Sequence, residues 1–149
     1  MSESGRHPDF FPEPFMIDPR TAPYAALVLR LALGIMYLAH GLTKLLVFTL
    51  PGTAGFFAKV GFPGWLAYPV TFFEIIGGAL LILGVLPRWI AAVATVQLLA
   101  AATVHFGNGW GFGNPGGGWE YPVFLAAASA ALALLGDGKP ALFPSKRKG

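Results

Sequence analysis

The stretch LAYPVTFFEIIGGALLILGVL, residues 66–86, is long and apolar enough to cross a bilayer, yet it carries Glu74 near its middle. About 20 helical residues span the hydrocarbon core of a membrane, which is roughly 30 Å thick. A charge at the centre of a lipid-facing helix costs at least ~3 kcal/mol, so such a residue normally faces a bundle interior and finds a partner there. The stretch therefore predicts a membrane helix with one charged position turned inward.

The composition of the whole chain indicates the same class. Of 149 residues, 55% are hydrophobic and only 11% are charged, and the mean hydropathy is +0.63. Soluble domains carry about 25% charged residues because their surfaces meet water. The length allows one domain and no separate soluble catalytic module. The chain has no cysteine, which excludes disulfides and thiolate ligands, and its net charge of +3 shows no pattern typical of nucleic-acid binding.

Three other apolar stretches accompany the first, and together the four cover residues 23–46, 64–86, 87–106 and 120–135. In a bilayer, backbone hydrogen bonds must close within each segment, so these stretches are predicted to be helices. The sequence thus predicts an all-α membrane protein, an antiparallel bundle of four transmembrane helices. The fourth stretch is the shortest, and hydropathy defines its ends least well.

The distribution of basic residues predicts how the bundle is oriented. If the chain crosses four times, Lys44 and Lys59 lie on one side and seven basic residues on the other: Arg6, Arg20, Arg88, Lys139, Lys146, Arg147 and Lys148. The positive-inside rule then places both termini in the cytoplasm. We expect a proline-rich cytoplasmic tail (1–22), a transmembrane domain (23–137) and a basic cytoplasmic tail (138–149), with segments 47–63 and 107–119 facing outward.

The polar residues of the predicted helices share a face. Arg30, Tyr37 and Lys44 follow helical spacing on the first helix, together with two glycines, and His40 lies at the edge of that face. A rise of about 1.5 Å per residue puts Glu74 within a few ångströms of Arg30 in depth. We therefore expect an Arg30–Glu74 pair, which serves either helix registration or a functional site.

Several further polar groups lie toward the outer rim: His40, Lys44, His105 and Glu120. Lys44 and Glu120 have plainer explanations as well, and so does Gln97 on the third helix. A lysine at a span end often snorkels to the interface, a glutamate at a helix N-terminus often caps it, and Gln97 is typical of interhelical hydrogen bonding. The glycine-rich segment 107–119 carries Trp110, Phe112 and Trp119, which are either interfacial anchors or the lid of a ligand site.

The order and spacing of short motifs along the chain resemble the DoxX family of four-helix membrane proteins. The resemblance covers residues 24–142, and its motifs are RLALG at 30–34, AHG at 39–41, KL at 44–45, GFP at 61–63, EIIGG at 74–78, LL at 80–81, Gly84, Arg88, HF at 105–106, NG at 108–109 and EYP at 120–122. The family takes its name from a small subunit associated with a terminal quinol oxidase. Related members are associated with thiosulfate:quinone oxidoreduction or with membrane oxidoreductase complexes.

This resemblance implies a multi-pass subunit of a quinone-linked oxidoreductase or respiratory complex in the plasma membrane, the inner membrane of a bacterium. Its partners would be membrane lipid and a larger redox complex or further copies of itself, and a quinone or quinol would be its cofactor. The sequence shows no metal, haem or flavin motif, so electrons would come from a partner or from the quinol. No catalytic residue is assigned, and the candidate ligand-binding residues are Arg30, Tyr37, His40, Lys44, Glu74, Gln97, His105 and Glu120. The alternative is a non-enzymatic scaffold, assembly factor or small-molecule carrier.

Overall fold

The computed structural model describes residues 17–145. Within this range the chain forms five α-helices: α1 Ala22–Leu42, α2 Leu50–Lys59, α3 Ala67–Leu83, α4 Pro87–His105 and α5 Glu120–Leu135. A π-helical turn, Thr43–Val47, prolongs α1. The described residues contain no β-sheet beyond one isolated bridge, so the prediction of an all-α protein is confirmed. Residues 1–16 and 146–149 of the predicted tails lie outside the described range.

The four long helices alternate in direction, which gives the bundle two distinct ends. The end called the base here carries the α3–α4 connection and residues 136–145, and the end called the top carries α2 and residues 106–119. α1 packs along α3 and against α5, and α4 packs along α5, whereas α3 and α4 contact each other little. The order around the bundle is therefore α3, α1, α5, α4, with its weakest contact between α4 and α3.

The surface of the bundle is apolar, while its interior is partly polar. Every long helix has exposed hydrophobic side chains, such as Val28, Ile76, Val96 and Phe124. Soluble monomers rarely expose apolar patches larger than a few hundred Å². Three segments, Ala22–Val47, Gly64–Leu83 and Pro87–Asn108, are long and apolar enough to cross a membrane, whereas Glu120–Leu135 has only 16 residues. Four crossings and cytoplasmic termini therefore stay predictions.

Two facing glycines allow α1 and α3 to pack closely. A Cβ at Gly34 would lie 2.9 Å from the Gly78 carbonyl oxygen, and a Cβ at Gly78 would lie 2.6 Å from the Leu38 backbone nitrogen. Both distances are shorter than a carbon atom allows next to backbone, so the helix separation requires glycine at both positions. Small residues at such contact points are typical of helix pairs in membranes.

The predicted outward segment 47–63 contains α2, which is tied to the end of α1. Thr49 begins this helix with a φ of 63°, and its Oγ1 accepts a hydrogen bond from the Gly52 N–H at 3.3 Å. The buried Thr53 hydroxyl lies 2.9 Å from the Thr49 carbonyl oxygen and 3.3 Å from that of Lys44. Because Thr53 reaches the backbone of Lys44, α2 is held directly above the turn that carries that lysine.

The base is closed by the chain that follows α5. The Lys139 N–H donates to the Pro23 carbonyl at 3.2 Å, and the Phe143 N–H donates to the Gly84 carbonyl at 3.0 Å. The Leu86 N–H donates in turn to the Phe143 carbonyl at 2.8 Å. Residues 138–145 of the predicted tail therefore pack against the ends of α1 and α3.

Candidate ligand-binding site

A cavity of about 790 Å³ lies among α1, α3, α4 and α5 toward the top of the bundle, next to α2 and the glycine-rich segment. Its walls are mostly apolar, and its volume falls in the range of about 300–1,000 Å³ that is typical of small-molecule sites. Six of the eight predicted site residues line it: Tyr37, His40, Lys44, Glu74, Gln97 and His105. Their role in binding a ligand stays a prediction.

The polar centre of this cavity is formed by Lys44, Glu74 and Gln97. The Lys44 ammonium donates to both carboxylate oxygens of Glu74, at 2.5 and 2.6 Å, and the Gln97 amide donates to Oε1 at 2.7 Å. Glu74 is 5% exposed, so its charge is compensated by side chains rather than by water. An ammonium group has three N–H bonds, which leaves one donor on Lys44 beyond its contacts with Glu74.

A further glycine allows this cluster to form. A Cβ at Gly41 would lie 2.8 Å from the Ile75 backbone nitrogen and 3.0 Å from the Glu74 Cβ. The backbone of α1 therefore comes against α3 at the level of the carboxylate. Gly41 precedes the π-helical turn that carries Lys44, and single π-helical turns are frequent at functional sites.

The predicted Arg30–Glu74 pair is wrong, although the two residues lie at similar depths. Arg30 is about 12 Å from the base end of α1, and Glu74 is about 14 Å from the base end of α3. Side chains on a helix lean toward its N-terminus, however, and the two helices run in opposite directions. Arg30 therefore leans toward the base, whereas Glu74 leans toward the top. Lys44 leans down from the end of α1 to meet Glu74, so the alternative explanation, in which Lys44 snorkels to the interface, is excluded.

Arg30 instead joins the base of the bundle. It is 2% exposed, its Nη1 donates to the Asp137 carbonyl at 2.8 Å, and its Nη2 donates to the Pro140 carbonyl at 2.6 Å. Gly84 has a φ of +74°, and a Cβ there would lie 2.6 Å from Nη1. The arginine thus attaches the chain after α5 to the first helix and does not line the cavity.

Two histidines that line the cavity have the same ring nitrogen engaged with a backbone carbonyl. The Nδ1–H of His40 donates to the Met36 carbonyl at 2.9 Å, and Nδ1 of His105 lies 3.1 Å from the Gly117 carbonyl oxygen. A carbonyl oxygen can only accept, so Nδ1 carries the proton in each neutral imidazole. Nε2 of each ring is therefore left with a lone pair that can accept a hydrogen bond or a proton.

Aromatic side chains connect His40 to the glycine-rich segment. Tyr121 stacks on His40 with ring centroids 6.5 Å apart, and Phe112 lies 5.6 Å from Tyr121. Tyr37 donates its hydroxyl to the Ala94 carbonyl at 3.1 Å, and its ring packs edge-on against Phe73 at 6.0 Å. These contacts fix the side chains of the cavity wall in defined orientations.

Glu120 and two of the predicted lid residues do not line the cavity. Glu120 accepts a hydrogen bond from the Phe112 N–H at 2.7 Å, which attaches the glycine-rich segment to the start of α5. Trp110 and Trp119 pack edge to face at 4.5 Å, whereas Phe112 does line the cavity. Glu120 thus positions the segment, and Phe112 is its aromatic contribution to the wall.

Sequence reasoning missed several lining residues. Phe57 and Phe62, whose ring centroids are 6.3 Å apart, come from segment 47–63, which was expected only to face outward. Tyr121 and Phe73 give no polar signal within a membrane span. Tyr121 could have been found, because it starts the last helix at the level of the outer polar residues.

Comparison with known proteins agrees with these features. Residues 25–106 match the DoxX family model, which is more than half of the chain. The chain belongs to the DoxX family. The Bacillus subtilis (strain 168) protein named "Putative oxidoreductase CatD" is 32% identical over 123 residues, which cover 83% of this chain and 87% of that protein. No solved structure gives a significant match.

The matched DoxX region contains all six of the predicted site residues that line the cavity, together with most of α1 and all of α3 and α4. Family membership together with three apolar helices of sufficient length identifies this chain as a membrane protein. The family predicted from the order of the short motifs is thereby confirmed. The Glu120 segment lies beyond the matched residues.

Proposed function

We propose that this DoxX protein is the integral membrane subunit of a quinone-linked oxidoreductase and that its cavity holds the quinone ring. The proposal rests on a mostly apolar cavity whose principal polar residues are the Lys44–Glu74–Gln97 cluster and two histidines, His40 and His105. An apolar ring with a few polar substituents fits such walls. The word oxidoreductase in the name of the Bacillus subtilis relative supports the same class.

The polar groups match both oxidation states of such a ring. A quinone presents two carbonyl oxygens, which accept hydrogen bonds, and the remaining N–H of Lys44 is a charged donor. A quinol presents two hydroxyl groups, which need acceptors, and Nε2 of His40 and of His105 supply them. Reduction of a quinone takes two electrons and two protons, and imidazole nitrogens can relay those protons.

The electrons would pass between the ring and a partner subunit. The sequence has no cysteine and no flavin or haem motif, so we assign this chain the binding of the ring and the exchange of its protons. A larger redox complex in the plasma membrane of a bacterium is the partner that this role requires. Glu74 would hold Lys44 in place and keep its charge compensated when the ring is absent.

The test is the binding of a short-tailed quinone to the purified protein in nanodiscs. We expect His40→Ala and His105→Ala each to weaken binding about tenfold, the equivalent of one hydrogen bond of about 1.4 kcal/mol. Thr103→Ala is the matched control, because Thr103 is exposed on α4 two residues before His105 and does not line the cavity. Unchanged affinity in both histidine variants, or no binding by the parent protein, would favour the scaffold or carrier function instead.

A further inference from the structure

The gap between α3 and α4 has the form of an opening in the side of the bundle. The two helices are joined by Gly84, Val85 and Leu86 alone, and near this connection a Cβ at Gly77 would lie 3.4 Å from Ile90. Toward the top the facing side chains line the cavity instead of packing together: Val70 and Phe73 of α3, and Val96 and Ala100 of α4. The helices therefore diverge from the base, and the cavity occupies the space between them.

The exposure of two valines shows that this space reaches the lateral surface. Val93 and Val96 line the cavity and are nevertheless 54% and 69% exposed. Val93 lies about 9 Å along α4 from Pro87, and the cavity continues about 18 Å further to His105. These levels lie within the span of an apolar membrane helix, so the opening faces hydrocarbon chains rather than water.

The polar groups lie behind this opening. The hydrogen bond between Gln97 and Glu74, at 2.7 Å, crosses from α4 to α3, and the carboxylate is buried against α1 next to Gly41. A molecule that enters from the side therefore meets an apolar slot first and the charged cluster afterwards. The complementary molecule has a polar ring at one end and a hydrocarbon chain at the other.

We propose that the gap between α3 and α4 is a lateral portal, through which the ring of a membrane-dissolved amphiphile enters from the bilayer. Its hydrocarbon tail remains in the slot lined by Val70, Phe73, Val93 and Val96. This inference rests on the proposed function for the identity of the ring, which makes the ligand a long-tailed, lipid-soluble quinone. A tail that stays in the lipid keeps the ligand attached to the membrane throughout a reaction.

The experiment uses a prenylated quinone with a photoreactive diazirine on its tail, and the protein in nanodiscs. Peptide mapping after illumination should find the label on Val70, Phe73 and Val96. Val96→Trp fills the slot and should reduce that labelling about tenfold, which corresponds to about 1.4 kcal/mol. Val28→Trp is the matched control, because Val28 is 66% exposed on α1 and does not line the cavity. Labelling confined to outward positions, or equal labelling in the two variants, would overturn the portal.

A second probe separates the portal from the identity of the ring. A fatty alcohol with the same diazirine should label the slot and should be displaced by the tailed quinone. If the alcohol labels the slot with sensitivity to Val96→Trp but no quinone displaces it, the portal stands and the quinone function fails. If a tailless quinone binds the parent protein while neither tailed probe labels the slot, the quinone function stands and the portal fails.

Discussion

Lys44 and Glu74 hold opposite charges 2.5 Å apart on the wall of the cavity, and the rest of that wall is mostly apolar. A buried ion pair contributes little net stability, because the desolvation of both ions offsets their attraction. Removal of one partner is costly, since the other is left as an uncompensated charge. The main effect of the pair is therefore to keep one cation and one anion at defined positions within the bundle.

A double-mutant cycle tests this pairing. Glu74→Gln and Lys44→Met should each lower the free energy of unfolding in detergent by roughly 3 kcal/mol, and the double variant should recover part of that loss. Lys59→Met is the control, because Lys59 is an exposed lysine on α2 outside the cavity. Strict additivity of the two single effects would show that the residues are not coupled.

The residue scale also shows how far sequence reasoning reached. Depth along a helix can be counted from the sequence, and it brought Arg30 and Glu74 to the same level. The direction in which a side chain leans depends on which way its helix runs. Because α1 and α3 run in opposite directions, the side chains of Arg30 and Glu74 point apart, and Glu74 meets Lys44 instead. The partners of Arg30 are backbone carbonyls of Asp137 and Pro140, and a carbonyl carries no sequence signal.

Among the elements, α1 and α3 form the closest pair, and the contact depends on glycine. At Gly34 the neighbours of an added Cβ are the Ile82 side chain and two backbone atoms, the Gly78 carbonyl oxygen at 2.9 Å and the Ile82 nitrogen at 3.1 Å. Backbone atoms cannot rotate away as a flexible side chain can. A methyl group at this position must therefore push the two helices apart, and the shift would also move Lys44 relative to Glu74.

A matched pair of glycine substitutions measures this contact. Gly34→Ala should lower the free energy of unfolding by roughly 1–3 kcal/mol because of overpacking. Gly55→Ala lies within α2, where an added Cβ meets no atom within 4 Å, so it should be neutral or stabilise the protein by about 0.5–1 kcal/mol. Denaturant titration followed by circular dichroism reports both values. Equal effects from both substitutions would contradict the proposed steric role of Gly34.

The element scale explains a further difference from the sequence. Four apolar stretches indicated the long helices, because a helix closes the backbone hydrogen bonds of such a stretch within a bilayer. α2 lies in the segment that was expected to face outward, and the hydrogen bonds that place it come from Thr49 and Thr53 rather than from an apolar pattern. The two outward segments gave no indication in the sequence of which of their aromatic residues turn toward the cavity.

For the whole molecule, the placement of charge and of chain ends decides the topology. The base carries residues from before α1 and after α5, so these two parts of the chain lie at the same end of the bundle. Their proximity requires an even number of crossings if the bundle stands upright in the membrane. The excess of lysine and arginine on that side predicts that the base faces the cytoplasm.

Cysteine labelling tests the topology cleanly, because the chain has no cysteine of its own. Exposed cysteines are introduced at the base by Thr21→Cys and Leu142→Cys, and at the top by Gly113→Cys. A membrane-impermeant maleimide added to intact spheroplasts should label position 113 alone, and positions 21 and 142 should react after permeabilisation. Label at 142 but not at 21 in intact cells would mean an odd number of crossings.

The attachment of Arg30 to the chain after α5 has a consequence for biosynthesis. Its two carbonyl partners are 107 and 110 residues further along the chain. At about 5–20 residues per second, a ribosome needs roughly 5–20 s to make that length. During this interval the first helix holds a guanidinium group without its final partners, and in a chain truncated before Asp137 they never arrive. The final hydrogen bonds of the first helix can therefore form only after residues 137–140 have been synthesised.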